Sequence, residues 1–315
     1  MNSIIIALTL TMSLCPAERI TLNAAAAAIE HQYIIEDEAY ATAASLRAVA
    51  EQASLGDKCR RPQALAEDLE AYLRETTGDP HFAVDAPDTN AGNDNWIAEW
   101  YKDGARNGYG LEKVEILEGN VGLIRISSFY DMAHAGSRLT AAFELVADTD
   151  GLILDLRNNG GGSPETATPL IWTFLPETAE PPLRQESRIH ELDPPVRIVG
   201  PWQAYGTERP LVILINSKTF SAPEAVAYSL QAAHRTTIIG EPSGGGAHML
   251  GEGQKIGSGL DLYIPDTRPI SPATGTNWES TGVIPDITAT SETSLEVAWN
   301  HILELLRVAD PPADK

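Results

Sequence analysis

Ser221, His81 and a run of three glycines, Gly160 to Gly162, are the residues whose types and settings could carry chemistry. Ser221 lies in NSKTFSAPEAVAYSL, directly after the apolar run Leu211 to Ile215. That run is short and β-branched, which predicts a buried strand, while Ala222 to Ala233 carries apolar residues at helical spacing. The serine therefore falls at a strand-to-helix turn. One reading is a helix cap, with Pro223 and Glu224 in the first turn. The other is a nucleophile lifted out of the core, with N–H groups of a helix N-terminus behind it to stabilise developing negative charge. His81, in GDPHFAV, follows a turn and precedes a short strand. An imidazole there can serve as a general base or simply satisfy a loop hydrogen bond.

The glycines end the strand LILDLRNNGGG, where the lack of a Cβ lets backbone N–H groups approach a ligand. The run has neither a GKS or GKT ending nor G-x-G-x-x-G spacing, so it does not read as a phosphate loop. Two further stretches follow. IGEPSGGGAHM, residues 239 to 249, comes at the next strand, and NWESTGVIPDI, residues 277 to 287, puts Glu279 ahead of a turn. Alone, Glu279 reads as a loop acid held by a neighbouring base.

The elements that must position these residues follow from periodicity. GNVGLIRISSF, GLILDLRNN, RPLVILINS and RTTIIGE are strand candidates, with helix candidates at Ser137 to Ala147, Glu165 to Phe174 and Ala222 to Ala233 between them. Strands alternating with helices predict an α/β core with a mainly parallel sheet. Leu295 to Val308 reads as a closing helix, and the proline-rich stretch Pro176 to Thr207 as an excursion with edge strands. Upstream, alanine-rich text from Ala17 to Thr77 predicts packed helices, followed by a polar, turn-rich linker. The expected domains are a leader over 1–17, a helical domain over 18–84, a linker over 85–110 and an α/β core over 111–315.

The chain has 315 residues, with 22 basic against 44 acidic side chains and a net charge of -22. That charge disfavours nucleic acid and anionic membrane surfaces as partners. The apolar run Ile4 to Leu14 fits a secretory leader with a candidate cut after Ala17, or else a buried helical segment, and is too short to span a bilayer. Export to the periplasm or medium is expected, and an integral membrane protein is not. No Lys or Arg precedes the run, and Leu14 is bulkier than lipoprotein sites accept before a cysteine. The two cysteines, Cys15 and Cys59, are read as excluding a disulfide framework and a cysteine metal site.

In this order and spacing, DLRNNGGG, NSKTFSAPEA, IGEPSGGGAH and WESTGVIPDI resemble the tail-specific or C-terminal processing peptidase family. The resemblance is closer to the branch containing interphotoreceptor retinoid-binding protein modules and the tricorn protease core, and covers residues 78 to 305. It implies a crotonase-like (ClpP/crotonase) ββα core and a serine peptidase site without cofactor or metal. Ser221 matches the nucleophile of the family's Ser-Ala-x-Glu turn. Ala222 and Gly161 match the oxyanion N–H donors, His81 the general base of the tricorn-like branch, and Glu279 its orienting acid. Two positions depart from the family pattern. Gly246 stands where the Ser-Lys members carry their lysine, with the next lysine at Lys255, and Pro80 stands where the tricorn-like branch has a relay serine. His248, two positions past the missing lysine, is the competing base. Between His81 and Val121 there is too little chain for a PDZ domain, so the expected substrates are unstructured proteins or short peptides. A non-catalytic module for apolar ligands (retinoid or fatty acid) is the alternative, and an acyl-CoA enzyme of crotonase type a third reading that rests on fold alone. The sequence leaves the oligomeric state open.

Overall fold

The computed structural model describes residues 13–86 and 96–309; most of the expected leader lies outside them. Along the chain come helices α1 (Pro16–Gln32), α2 (Glu36–Gln52) and α3 (Pro62–Thr77), strand β1 (Ala83–Asp85) and helix α4 (Trp96–Arg106). Next are β2 (Leu111–Leu117), β3 (Val121–Ile126), α5 (Met132–Leu145), β4 (Gly151–Asp155), α6 (Pro164–Phe174) and β5 (Arg184–Ser187). Then follow β6 (Leu211–Ile215), α7 (Ala222–Ala232), β7 (Thr237–Gly240), β8 (Met249–Leu250), β9 (Gln254–Gly257) and β10 (Leu260–Tyr263). The chain closes with β11 (Pro265–Ile270), β12 (Ile287–Thr288) and α8 (Ser294–Ala309). The fold is mixed α/β and divides into two compact units.

The first unit takes the chain up to residue 94 together with 185–193 and 248–269. Its helices form because small and branched apolar residues recur every three or four positions, as in Leu22, Ala25, Ala26 and Ile29 of α1. Gly78 ends α3 in the left-handed region (φ 70°), with its N–H donating to the Arg74 carbonyl. The helical face is covered by β-structure made late in the chain: Ile256, Leu260, Leu262 and Ile264 share one core with Leu22, Leu46, Leu69 and Phe82. β1, β10 and β9 form an antiparallel sheet in that order, and β5, β11 and β8 a second three-stranded sheet. Arg188 donates to the Tyr33 carbonyl at 2.6 Å, which fastens the 185–193 segment. The helical domain expected over 18–84 is therefore completed by two distant segments rather than standing alone.

Cys15 and Cys59 form a disulfide, which corrects the reading that excluded disulfide bonding from the two cysteines. Leu14 and Cys15 are buried, and α1 begins at Pro16. Beside the bond, the Glu18 carboxylate accepts the N–H groups of Cys15 at 2.9 Å and Arg60 at 2.8 Å. A cut after Ala17 would remove one half of this disulfide together with the first residues of α1. A sulfur used in the bond is likewise unavailable for lipid attachment.

The second unit holds 95–184, 194–247 and 270–315. Its six-stranded sheet runs β12-β7-β6-β4-β3-β2, parallel throughout except for the antiparallel edge pair β2–β3. Successive side chains of a strand point to opposite faces, and both faces are apolar. Ile124, Leu152, Leu154, Ile213 and Ile215 pack with residues of α5, α6 and α7. Leu123, Ile153, Val212 and Leu214 pack with Ala298 and Ile302 of α8. The result is helix, sheet, helix, the arrangement expected of buried parallel strands. α4 falls inside the stretch read as linker.

Candidate active site

In the second unit, Ser221, Gly161 and Glu279 all lie on loops that leave the carboxyl ends of the parallel strands or pack on them, the usual place for a ligand in an open α/β sheet. β6 ends at Ile215, and the chain turns through Asn216 and Thr219 before α7 begins after Ser221. The Asn216 N–H donates to Thr219 Oγ1 at 3.0 Å, and Thr219 Oγ1 donates to the Leu156 carbonyl at 2.9 Å. This bolts the turn to the end of β4. Ser221 itself has φ 65° and ψ −120°. Ordinary caps sit in the β region, so a positive φ on a non-glycine residue is unfavourable backbone that the surroundings must enforce. A sharp turn of this kind raises a serine hydroxyl at the head of a helix.

The enforcing group is Glu224, which is fully buried. One of its carboxylate oxygens accepts the Ser221 N–H at 2.6 Å and the Gly246 N–H at 3.0 Å. The other accepts the Ser243 hydroxyl at 2.5 Å and the Gly245 N–H at 2.7 Å. Burial pushes its carboxyl up, while these four bonds pull it back. Glu224 thus joins the serine turn to the glycine loop 244–246. Sequence reading took this residue as helix-start chemistry only. The signal available was an acid three positions after the serine, facing a second glycine run.

The first glycine run is equally fixed. Asn159 donates to the Ile126 carbonyl at 3.1 Å, its own carbonyl accepts the Phe220 N–H at 2.9 Å, and its side-chain oxygen accepts the Gly161 N–H at 3.0 Å. A Cβ on Gly161 would stand 3.2 Å from Ser221 Cβ, so the two predicted loops do meet. The Gly161 N–H, expected to point at an oxyanion, donates to Asn159 in this state. Gly162 (φ 126°) could not carry a side chain, since its Cβ would lie 2.0 Å from the Phe129 carbonyl oxygen.

Glu279 accepts the Ala247 N–H at 2.6 Å, and its own N–H donates to Asn277 Oδ1 at 2.9 Å. Beside it, buried Trp278 donates from Nε1 to the Gly246 carbonyl at 2.9 Å. The loop after Gly244 and the loop before β12 are thereby zipped together.

In the first unit, His81 and His248 are brought together by Asp79. His248 Nδ1 lies 2.6 Å from Asp79 Oδ2, and the His81 N–H donates to Asp79 Oδ1 at 2.9 Å. Burial drives the His81 imidazole from its ordinary 6.5 down to about 4, against the pull of Asp79 upward; His248 and Arg74 push the same way as burial. The ring is therefore neutral at pH 7, the state a general base needs.

The second unit thus holds a serine at a forced turn with glycine loops locked around it, and the first unit holds two buried imidazoles tied to a carboxylate, each within a mixed α/β fold. Residues 120–289, more than half of the sequence, match the model of Peptidase family S41, and the chain belongs to that family. Over 136 residues it is 35% identical to a carboxyl-terminal-processing protease of Synechocystis sp., covering 40% of this chain and 28% of that protein. Over 184 residues it is 30% identical to a carboxy-terminal-processing protease of Bartonella bacilliformis, covering 54% of this chain and 39% of that protein. The chain thus spans well under half the length of these curated relatives. A putative peptidase from Parabacteroides merdae shares the fold at a TM-score of 0.64 and 18% identity, over 91% of this chain and 97% of that one.

Proposed function

We propose that this chain is a serine-type peptidase that hydrolyses unstructured or short peptides with Ser221 as nucleophile and His81 as general base. The observation that carries the reading is the backbone of Ser221: a cap needs no positive φ, and the alternative of a module for apolar ligands leaves that enforced turn without a purpose. Membership of Peptidase family S41 supports it. In the reaction, His81 takes the Ser221 hydroxyl proton as the oxygen attacks the peptide carbonyl. The amine then leaves with that proton, and water, activated by the same ring, releases the acyl group. The Ala222 N–H at the start of α7 donates to the tetrahedral oxyanion, joined by the Gly161 N–H, which shares its hydrogen between Asn159 and the oxyanion. Glu279 is the acid that orients the base.

The order of strands and helices in the second unit supports a crotonase-like core. The Cys15–Cys59 disulfide supports export, because such bonds persist in oxidising compartments. Among the described residues, no helix is long and apolar enough to cross a membrane.

Purified protein treated with a fluorophosphonate probe tests the reading. Wild type is expected to label and Ser221→Ala not to, each assayed by in-gel fluorescence. Equal labelling of both, or of neither, overturns it.

A further inference from the structure

The arrangement around Asp79 goes beyond what a general base alone requires. Asp79 is 1% exposed and His248 4%. A carboxylate placed so deeply must be met by donors, or its burial costs several kcal/mol. Three contacts describe its setting. Oδ1 receives the His81 N–H at 2.9 Å, Oδ2 lies 2.6 Å from His248 Nδ1, and the Asp79 N–H donates to Thr77 Oγ1 at 3.1 Å. The His81 ring nitrogen Nδ1 stands 3.8 Å from Oδ1. That is too far for a hydrogen bond and close enough for a strong field.

The loop around His81 is otherwise held by α3. Arg74 Nε donates to the Phe82 carbonyl at 2.8 Å, and the Val84 N–H donates to Glu70 Oε2 at 3.0 Å. Phe82 packs on Tyr33 with ring centroids 4.9 Å apart, and Tyr33 meets the His248 ring edge-on at 6.4 Å. Every one of these ties fixes the loop downstream of His81 or the ring of His248. Asp79 meets both histidines, the His81 main chain through Oδ1 and the His248 ring through Oδ2.

We propose that Asp79 and His248 are a positioning pair for His81: the carboxylate holds the His81 main chain with one oxygen and is itself aimed by His248 through the other. The inference rests on the reading of His81 as general base. It also divides the labour between the two histidines. His248 commits Nδ1 to Asp79 and serves as a strut, while His81 is the ring that handles the proton.

Within the first unit, the groups whose charge bears on His81 are Asp79, His248 and Arg74. Asp79 favours the imidazolium; His248 and Arg74 oppose it. Removing the two members of the pair is therefore expected to shift His81 in opposite directions, which a strut acting through packing alone would not do. Asp79→Asn keeps an acceptor for the His81 N–H and deletes the charge, while Asp79→Ala deletes both. His248→Gln keeps a polar side chain and deletes the ring.

The experiment measures the rate of serine phosphonylation by a fluorophosphonate probe, with loss of fluoride, against pH in wild type and these variants, together with His81→Ala, and follows the His81 ring C2–H by NMR titration. Asp79→Asn is expected to slow labelling tenfold or more and to move the acid limb and the ring titration to lower pH. Asp79→Ala is expected to be slower still. His248→Gln is expected to slow labelling less and to move both midpoints to higher pH. Midpoints and rates unchanged in Asp79→Asn overturn the proposal. So does a His248→Gln protein that fails to label while His81→Ala labels at the wild-type rate, for His248 would then be the base. A wild type that does not label sinks the peptidase reading instead, and the ring titration still decides for or against the pair.

Discussion

His81 shows how much one buried ring can govern. Its imidazole titrates at about 4 in the folded protein against an ordinary 6.5, mainly because of burial. The unfolded chain therefore binds a proton that the native state refuses between those values. The stabilisation is fully present above pH 6.5 and is lost as pH falls through 4. Its size is about 3 kcal/mol. Thermal unfolding across that window is expected to show a steeper acid loss in wild type than in His81→Phe, where the titrating ring is gone; parallel curves would refute the assignment. At this scale Ser221 was legible because an apolar strand, a serine and a helix start are local features. The role of Glu224 was not, since its partners Gly245 and Gly246 lie 21 and 22 residues on and no spacing rule joins a helix-start acid to a distant loop. The engagement of the Gly161 N–H by Asn159 was hidden too, because it depends on the backbone dihedrals of the glycine run and on the Asn159 rotamer, which no local sequence pattern reports.

At the scale of elements, the parallel strands β3, β4, β6 and β7 were readable because buried strands are continuous apolar runs. A strand candidate around Lys255 matches β9, whereas β10 and β11 escaped notice although Leu260, Leu262 and Ile264 alternate with more polar positions, as a half-buried strand should. Short strands rich in Gly, Asp and Pro carry a weak local signal, and β1, the partner of β10, lies far away in sequence. Likewise α4 lies directly after a polar stretch that masks its start. Helix α1 and the segment before α3 are joined by the Cys15–Cys59 bond across 44 residues. Closing a loop of that length restricts the unfolded chain by about 4 kcal/mol. Cys59→Ser, or reductant added to wild type, is expected to lower the unfolding free energy of the first unit by an amount of that order, measured by chemical unfolding. No change would mean that the helices hold without the tether.

For the whole molecule, the lesson lies in how the first unit is assembled. Contiguous text over 18–84 suggested a self-sufficient helical domain, yet Ile256, Leu260, Leu262 and Ile264 complete its core. A fragment ending at residue 94 leaves that apolar face exposed and is expected to be protease-sensitive and to lack a cooperative thermal transition, as read by limited trypsin digestion and circular dichroism. A fragment that melts cooperatively would contradict this. The sequence hides the division because hydrophobic periodicity reports that a face is covered, not what covers it. There is also a matter of timing. Asp79 meets His248 across 169 residues, and ribosomes add about 5–20 residues per second. For roughly ten to thirty seconds of synthesis, the nascent chain carries an aspartate whose counterpart has not yet been made, so the imidazole beside it stays unanchored until the polypeptide is nearly finished.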